Sequence, residues 1–347
     1  METFASILEK NSGVAPGFDF VRLFLATIIV LWHCFDYTHP HEAAEAFWAS
    51  PLAPAINSAV PLFFSLSGFL VTGSLLRLGD LRLFVAFRAL RIIPALLVEI
   101  CISAIILGPI VTTFSLYEYF ANPNFFSYFS NIVGIIKFQL PGVFKDQFYD
   151  QVNGALWTVP GEISCYLTLI SLTLLGISKR RIILLLLFVI MTIGVYLWTR
   201  KVGAFSTQNW VPLVFCFYAG CLFFHFAEFV PSHWSLAIAA LVLAYYTMQF
   251  RFGLYIVVAP TMLAYLVCFL GMQQFPRIKY LMDGDHSYGI YLYHCPIIQA
   301  LVWLTNSNIS WWQSFFASYI AVSVIAMFSW KFIERPALTF RKVIVAR

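Results

Sequence analysis

Two residues of one apolar stretch, Arg22 and His33, carry side chains that can bind an anion and move a proton. Because eleven residues make about three turns of an α-helix, both side chains project from one face, about 16 Å apart along the axis. If the stretch crosses a membrane, this face joins a cation at one edge to an imidazole inside the bilayer. A snorkelling arginine and a hydrogen-bonded structural histidine give the same pattern, so the sequence leaves both interpretations open.

Two carboxylates could act with this imidazole. Asp36 follows His33 by three residues and could orient the ring, although a solvated helix end also explains it. Glu162 lies near the start of a later apolar stretch, at a depth that matches His33 when the two stretches run in opposite directions. A carboxylate and an imidazole at one depth form either an acid–base pair or a buried structural pair.

Guanidinium groups are concentrated before another apolar stretch, where Arg88 and Arg91 are one helical turn apart. Planar guanidinium groups suit the bidentate binding of phosphate. Arginines in such places also anchor the cytoplasmic ends of membrane helices, which is the second explanation.

A polar stripe marks a stretch near the carboxyl end of the chain. Ser287, Tyr291 and His294 follow the spacing i, i+4, i+7 and therefore share one helix face. Hydrogen bonding between helices would explain the stripe, and so would the lining of a reaction cavity.

The composition indicates that the elements carrying these residues are membrane helices. Of the 347 residues 61% are hydrophobic and 11% are charged, and the mean hydropathy is +0.83. Soluble domains carry about 25% charged residues, so this composition argues against soluble enzymes, nucleic-acid-binding proteins and disordered scaffolds. At about 20 residues per span, the chain has material for about ten spans.

Ten apolar stretches are long enough for membrane helices, and an eleventh is shorter. The eleventh, 125–140, contains Asn131 and Lys137 and ends at Pro141, so a re-entrant or interfacial segment is expected there. The ten predicted spans cover residues 18–37, 56–76, 91–111, 157–177, 182–199, 210–228, 234–249, 253–272, 286–304 and 312–333.

The distribution of positive charge sets the expected topology. With ten spans and a cytoplasmic amino terminus, 16 of the 21 Lys and Arg residues lie on the cytoplasmic side, as the positive-inside rule requires. We therefore expect an all-α, polytopic membrane protein with both termini in the cytoplasm and an uncleaved first span. Its parts are a lead over 1–17, a membrane domain over 18–336 and a basic tail over 337–347.

Neither a metal site nor a disulfide framework is expected. The seven cysteines lie mostly within apolar stretches, and none has the spacing typical of metal ligands. They are interpreted as small buried apolar residues.

Together, these stretches resemble the acyltransferase-3 family of bacterial integral-membrane acyltransferases, in particular its stand-alone sugar O-acetyltransferases. The resemblance covers residues 15–336 and rests on six elements that occur in order. They are Arg22 followed after ten residues by His33; the run FFSLSGFL from Phe63 to Leu70; Arg88-x-x-Arg91-Ile92-x-Pro94; Trp157 with Glu162 and Tyr166; the run SYGIYLYH from Ser287 to His294; and Glu334-Arg335-Pro336.

The resemblance implies a membrane enzyme that takes an acyl group, usually acetyl, from cytoplasmic acyl-CoA. The implied acceptor is a hydroxyl group of a carbohydrate, such as a polysaccharide, a lipopolysaccharide or a lipid-linked sugar, at the cytoplasmic (inner) membrane of a bacterium. Arg22 and His33 are implied to be essential. No tightly bound cofactor and no nucleic-acid partner is expected.

The chemistry of the residues agrees with this implication. CoA phosphates held by Arg22, Arg88 and Arg91 could deliver the thioester to His33, because a phosphopantetheine arm is comparable in length with the distance of about 16 Å from Arg22 to His33. His33 would act as general base on the acceptor hydroxyl, or would carry the acyl group itself.

Further residues are assigned to the predicted site. Asp36 and Glu162 join His33 in the catalytic assignment, although the family often has an acidic pair where this chain has Glu162-Ile163. A hydrolase-like extracytoplasmic domain found in some members is not expected here, so this chain or a separate partner would complete the transfer. Support of the substrate or of an oxyanion is assigned to Trp157, Tyr166, Ser287, Tyr291 and His294.

A transporter or flippase of a lipid-linked or small polar substrate is the alternative function. Intramembrane His, Glu and Arg side chains would then line a permeation path. Paired interrupted helices in two corresponding halves would favour transport, and the sequence contains no such pair. Cytoplasmic arginines aligned with one intramembrane histidine favour an enzyme.

Overall fold

The computed structural model describes residues 1–202, 210–250, 255–275 and 284–345. Within these ranges the chain is helical, and its β-structure is limited to an isolated bridge between Thr3 and Pro231. Among the residues that the structure describes, five helical segments are long and apolar enough to cross a membrane, and several apolar helices are shorter. An all-helical, multi-pass membrane protein is therefore confirmed, while the number of spans and the side of the termini stay predictions.

The helices are numbered along the chain. Two 3₁₀ segments, Phe129–Val133 and Gly154–Thr158, and two π-helical segments, Ile102–Leu107 and Trp330–Glu334, adjoin them. The α-helices are α1 (Phe4–Lys10), α2 (Phe18–Tyr37), α3 (His41–Trp48), α4 (Ala53–Asn57), α5 (Ala59–Leu78), α6 (Leu81–Cys101), α7 (Gly108–Val111), α8 (Leu116–Ala121), α9 (Pro123–Tyr128), α10 (Val159–Leu174), α11 (Arg181–Val202), α12 (Val211–His225), α13 (Trp234–Phe250), α14 (Tyr255–Met272), α15 (His286–Leu304), α16 (Trp311–Ser329) and α17 (Arg335–Val345).

The described part of each of the ten predicted stretches falls on one or more of these helices, and residues 253–254 of the stretch 253–272 lie outside the described residues. One boundary differs clearly. The third stretch was expected to begin at residue 91, whereas α6 begins at Leu81. Oδ1 of Asp80 accepts hydrogen bonds from the backbone N–H groups of Arg82 and Leu83, at 2.7 and 3.3 Å, and so caps the helix start. A count of apolar residues misses this cap because charged residues occupy the first turns.

The described chain forms two compact units. The first comprises 1–25, 51–84 and the described part of 161–277, and the second comprises 26–50, 85–160 and the described part of 278–347. Helices α2, α6 and α10 contribute residues to both units. Residues that meet within one unit therefore come from distant parts of the chain.

In the first unit α5 packs along α12, where glycines let the two backbones approach closely. A Cβ atom placed on Gly68 would stand 1.9 Å from the carbonyl oxygen of Phe217, and one on Gly220 would stand 1.9 Å from that of Ser65. Side chains do not fit at such distances. The glycine of the FFSLSGFL run is thus required for this helix contact.

Replacing Gly68 by alanine is expected to lower the stability of the protein by about 1–3 kcal/mol, because the new methyl group forces the two backbones apart. Thermal unfolding in detergent measures the effect. Gly194→Ala is the matched control, since Gly194 also lies in a helix and a Cβ atom there meets nothing within 4 Å. Equal unfolding temperatures for the two variants would contradict the prediction.

In the second unit buried amide side chains hold the non-helical segment that follows the 3₁₀ segment Phe129–Val133. Asn131 donates to the carbonyl oxygen of Lys137 at 2.9 Å and accepts from its N–H group at 2.8 Å. Gln299 of α15 donates to the carbonyl oxygens of Tyr149 and Gln151 at 2.9 and 2.7 Å. Irregular backbone inside a membrane protein needs such partners, so this segment is a fixed part of the unit and not a continuous span.

The charge distribution predicts that residues 112–156 face the outside and 178–181 the cytoplasm. Lys145→Cys and Lys179→Cys form a matched pair, because both lysines are exposed in the structure. A membrane-impermeant thiol reagent applied to intact cells should label the first variant and not the second. Labelling of the Lys179→Cys variant from outside would overturn the topology.

Candidate active site

Two imidazoles meet in the second unit. Nδ1 of His33, on α2, lies 3.1 Å from Nε2 of His294, on α15, and the ring centroids are 4.8 Å apart. His294 is fully buried and His33 is partly buried. The fold thus brings together two predicted site residues that are 261 positions apart in the sequence.

A backbone carbonyl of its own helix also contacts each ring. Nδ1 of His33 is 3.0 Å from the carbonyl oxygen of Ile29, and Nδ1 of His294 is 2.6 Å from that of Tyr291. Imidazoles held in this way keep one orientation. The pair is therefore built into the two helices and does not depend on a mobile loop.

Cys295 adds a third polar atom beside the rings. Its Sγ is 3.3 Å from Nε2 of His294, and the ligand-capable atoms of His33, His294 and Cys295 lie within 4.8 Å of one another. A transition metal can use such a donor set, which the sequence spacing did not indicate. As a ligand, Nδ1 of His33 would lose its hydrogen bond to Ile29, so the contacts favour a hydrogen-bonded cluster.

Asp36 is held by a residue that the sequence analysis did not single out. The hydroxyl group of Tyr149 donates to Oδ1 of Asp36 at 2.9 Å. Burial and then the charge of Asp36 raise the pKa of this hydroxyl group, so Tyr149 stays protonated and can donate. Asp36 and His33 interact through their charges, while the contacts of the His33 ring with Ile29 and His294 orient it.

The three residues of the polar stripe on α15 have different partners. Ser287 donates to Oδ1 of Asp285 at 2.7 Å, at the start of the helix. The hydroxyl groups of Tyr291 and Thr158 are 2.8 Å apart, which ties α15 to the segment Gly154–Thr158. His294 is the member that reaches His33. Structural hydrogen bonds thus explain why Ser287 and Tyr291 are polar. His294 is the residue of the stripe that belongs to the candidate site.

The predicted residues on and before α10 are divided between the two units. Trp157 belongs to the second unit, where its side chain is partly buried. Glu162 and Tyr166 belong to the first unit, where the hydroxyl group of Tyr166 donates to Oε1 of Glu162 at 2.5 Å. An acid–base pairing of Glu162 with His33 stays a prediction.

Arg22 is paired within its own helix. Its Nη1 is 3.2 Å from Oδ1 of Asp19, one turn earlier, and the Asp19 side chain is 64% exposed. An ion pair with so exposed a carboxylate is weak.

Arg91 is held between two carboxylates of the second unit. Its guanidinium group lies 2.6 Å from Oδ2 of Asp285 and 3.6 Å from Oε2 of Glu334, and it stacks over the ring of Tyr288. The Glu334 side chain is only 2% exposed. Arg91 therefore joins α6 to the start of α15 and to the Glu-Arg-Pro run, a structural role that the sequence did not reveal.

Arg341, from the basic tail, lies near Arg88 and Arg91 in the second unit. The guanidinium group of Arg341, on α17, stacks over the ring of Phe87 and donates to its carbonyl oxygen at 3.3 Å. Arg341 is near enough to Arg88 and Arg91 for their like charges to repel. Nε of Arg341 is buried and has no hydrogen-bond partner among the described residues. We call Arg88, Arg91 and Arg341 the arginine cluster. Guanidinium groups gathered in this way are suited to binding an anion.

Helix α15 connects the arginine cluster to the histidine pair. Asp285, which binds Arg91, immediately precedes α15, and His294 follows nine residues later. At 1.5 Å per residue the two positions are about 14 Å apart along the axis. An anion bound at the arginine cluster would thus lie about 14 Å along α15 from the two imidazoles.

Glu99 is a buried carboxylate that the sequence analysis missed. It is 1% exposed, and its Oε1 accepts from Ser103 at 2.8 Å and from Nδ2 of Asn153 at 3.0 Å. Asn153 also donates to the carbonyl oxygen of Leu292, two residues before His294. A lone carboxylate inside the apolar stretch 91–111 was the signal available in the sequence.

Comparison with known proteins places the chain among membrane acyltransferases. It is 27% identical to Nodulation protein 10 of Rhizobium leguminosarum bv. viciae, over 98% of this chain and 97% of that protein. It is 26% identical to the O-acetyl transferase of Shigella phage Sf6, over 93% of this chain and 96% of that protein. No solved structure matches the chain at a comparable level of significance.

A family profile matches most of the chain. The profile of the acyltransferase-3 family, described as an acyltransferase domain, matches residues 16–330. This range includes the histidine pair, Arg88, Arg91 and the whole of α15. The chain belongs to the acyltransferase-3 family of membrane acyltransferases.

Proposed function

We propose that this protein moves an acetyl group from cytoplasmic acetyl-CoA to a hydroxyl group of a cell-surface or lipid-linked glycan at the inner membrane of a bacterium. The observation that carries the proposal is the contact between His33, which is partly buried, and His294, which is fully buried, in a chain of this family. The relative named O-acetyl transferase, which is matched over nearly its whole length, supports the choice of acetyl and of an oxygen acceptor.

The arginine cluster is the proposed site for the phosphates of acetyl-CoA. Arg88 and Arg341 supply guanidinium groups, and the mutual repulsion within the cluster is relieved when an anion binds. A phosphopantetheine arm that starts at this cluster has about 14 Å to cover along α15 to reach the imidazoles, a distance comparable with its extended length. The binding of CoA by Arg22 stays a prediction from the sequence.

His33 is the proposed general base. It takes the proton of the acceptor hydroxyl as the oxygen attacks the thioester carbonyl; the carbon–sulfur bond breaks, and the proton passes to the departing thiolate. The alternative, transfer of the acetyl group to His33 first, uses the same residue as nucleophile. Asp36 would compensate the positive charge that develops on the ring in both routes.

Purified protein in proteoliposomes, supplied with acetyl-CoA labelled in the acetyl group and with a glycan extract, tests this proposal. Label should enter the glycan in an alkali-labile ester, and free CoA should appear in equal amount. A transporter would move the glycan or another solute across the bilayer without forming the ester. Solute movement in the absence of any ester would reject the proposed function.

Replacing Arg88 or Arg341 by alanine is expected to weaken CoA binding about tenfold to a hundredfold, since a hydrogen bond to a charged group contributes about 1.5–3 kcal/mol. Isothermal titration of the purified variants with CoA measures the change. Arg82→Ala is the control, because Arg82 is an exposed arginine at the start of the same helix, α6. Unchanged affinity in both variants would reduce Arg88 and Arg341 to anchoring roles.

A further inference from the structure

The hydrogen positions of the two imidazoles follow from their partners. A carbonyl oxygen accepts hydrogen bonds and cannot donate them. Nδ1 of His294, 2.6 Å from the carbonyl oxygen of Tyr291, therefore carries the hydrogen in the neutral ring, and its Nε2 is an acceptor. Nδ1 of His33 faces two acceptors, the carbonyl oxygen of Ile29 at 3.0 Å and Nε2 of His294 at 3.1 Å. His33 is thus also protonated at Nδ1, and the two acceptors share its single hydrogen in a three-centre hydrogen bond. This leaves Nε2 of His33 as the basic nitrogen.

We propose that His33 and His294 form a dyad in which His294 is a positioning residue that accepts the Nδ1–H of His33. This inference rests on the proposed function in taking His33 as the base. A carboxylate has the corresponding place in a Ser-His-Asp triad, where it holds the tautomer and stabilises the imidazolium that forms. Here a buried, neutral imidazole takes that place, so the dyad holds at most one extra proton.

The proton and the electrons balance across the reaction. The acceptor hydroxyl gives its proton to Nε2 of His33 while its oxygen bonds to the acetyl carbon and the carbon–sulfur bond of the thioester breaks. The positive charge is shared with His294 through the Nδ1–H···Nε2 hydrogen bond. Nε2 of His33 then gives its proton to the thiolate of CoA, and the dyad returns to its neutral form.

Cys295 competes for the same acceptor but is the weaker donor. Its Sγ lies 3.3 Å from Nε2 of His294, which has one lone pair to offer. A thiol donates weakly compared with an imidazole N–H. The lone pair of His294 is accordingly assigned to His33, and Cys295 is a neighbour of the dyad and not a member of it.

Substitutions at His294 test the dyad in the acetyl-transfer assay. His294→Leu fills the space without an acceptor, and kcat is expected to fall about 10–100-fold, the range seen when residues that orient metal-bound histidines are lost, with an unchanged KM for acetyl-CoA. His294→Gln supplies an amide oxygen in the same region and should recover most of kcat. Cys295→Ala should stay near the wild-type rate. A wild-type kcat in His294→Leu, or equal losses in His294→Leu and His294→Gln, would overturn the dyad.

A measurement without catalysis separates this inference from the proposed function. Nitrogen-15 NMR of purified protein labelled at histidine should show Nδ1 protonated and Nε2 unprotonated in both rings, with coupling across the N–H···N bond. The His294→Leu variant identifies the signals of His33. Protonation of His33 at Nε2 in the wild type would reject the dyad even if acetyl transfer is found. Absence of acetyl transfer together with the expected spectrum would reject the proposed function alone.

Discussion

Replacing His33 by alanine is expected to lower acetyl transfer about 10²–10⁴-fold, the range in which loss of a general base falls. In the dyad Nδ1 of His33 contacts His294 and the carbonyl oxygen of Ile29, so Nε2 is the nitrogen that can take the proton of the acceptor. Loss of a covalent acetyl carrier would produce at least as large an effect. Titration with CoA should still report binding, because the arginine cluster lies about 14 Å away along α15.

His39→Ala is the matched control for this variant. His39 lies just after α2, and its Nδ1 is bonded to the carbonyl oxygen of Phe35 at 2.8 Å, in the same way as His33 is bonded to Ile29. Loss of this histidine removes an equivalent structural contact without touching the dyad. Transfer near the wild-type rate in His33→Ala, or an equal loss in His39→Ala, would show that the ring of His33 has no catalytic role.

Replacing Arg91 by alanine is expected to destabilise the protein by about 3–5 kcal/mol, because removal of one partner leaves a buried carboxylate without its cation. Glu334 is 2% exposed and lies 3.6 Å from the Arg91 guanidinium group, while Asp285 lies 2.6 Å from it. Thermal or denaturant unfolding in detergent measures the loss. CoA affinity would fall as well, since Arg91 belongs to the arginine cluster.

A double variant distinguishes a buried ion pair from a simple loss of packing. Arg91→Met combined with Glu334→Met removes the arginine and the more deeply buried of its two carboxylates and replaces them with apolar side chains, which is often close to neutral. Asp285, whose side chain is 22% exposed, keeps access to water. The double variant should therefore be more stable than Arg91→Ala. An Arg91→Ala variant as stable as the wild type would mean that Glu334 does not depend on this arginine.

Part of the candidate site, the contact between His33 and His294, could be anticipated because both residues lie on regular helices. The spacing of Ser287, Tyr291 and His294 defines one face of α15 whatever surrounds it, and one of these residues does reach His33. The apolar stretches likewise coincide with helices, because about 20 apolar residues leave few other solutions in a membrane.

Other parts of the site depend on contacts that no local pattern encodes. Tyr149 lies in a non-helical segment with no period, and its bond to Asp36 spans 113 positions. Arg341 lies in a tail whose charge was explained by topology alone, yet α17 places it against Phe87. The pairing of Arg91 with Asp285 needs α6 and α15 side by side. Such pairs follow from tertiary packing, so sequence spacing could not supply them.

Mass spectrometry of cell-surface glycans tests the central claim most directly. Cells that carry the wild-type gene, the His33→Ala variant or no gene are compared at equal expression of the two proteins. Glycans from wild-type cells should carry one additional acetyl mass per modified residue, sensitive to mild alkali, and glycans from the other two strains should lack it. Acetylated glycan in the His33→Ala strain at the wild-type level, or no difference among the three strains, would contradict acetyl transfer at His33.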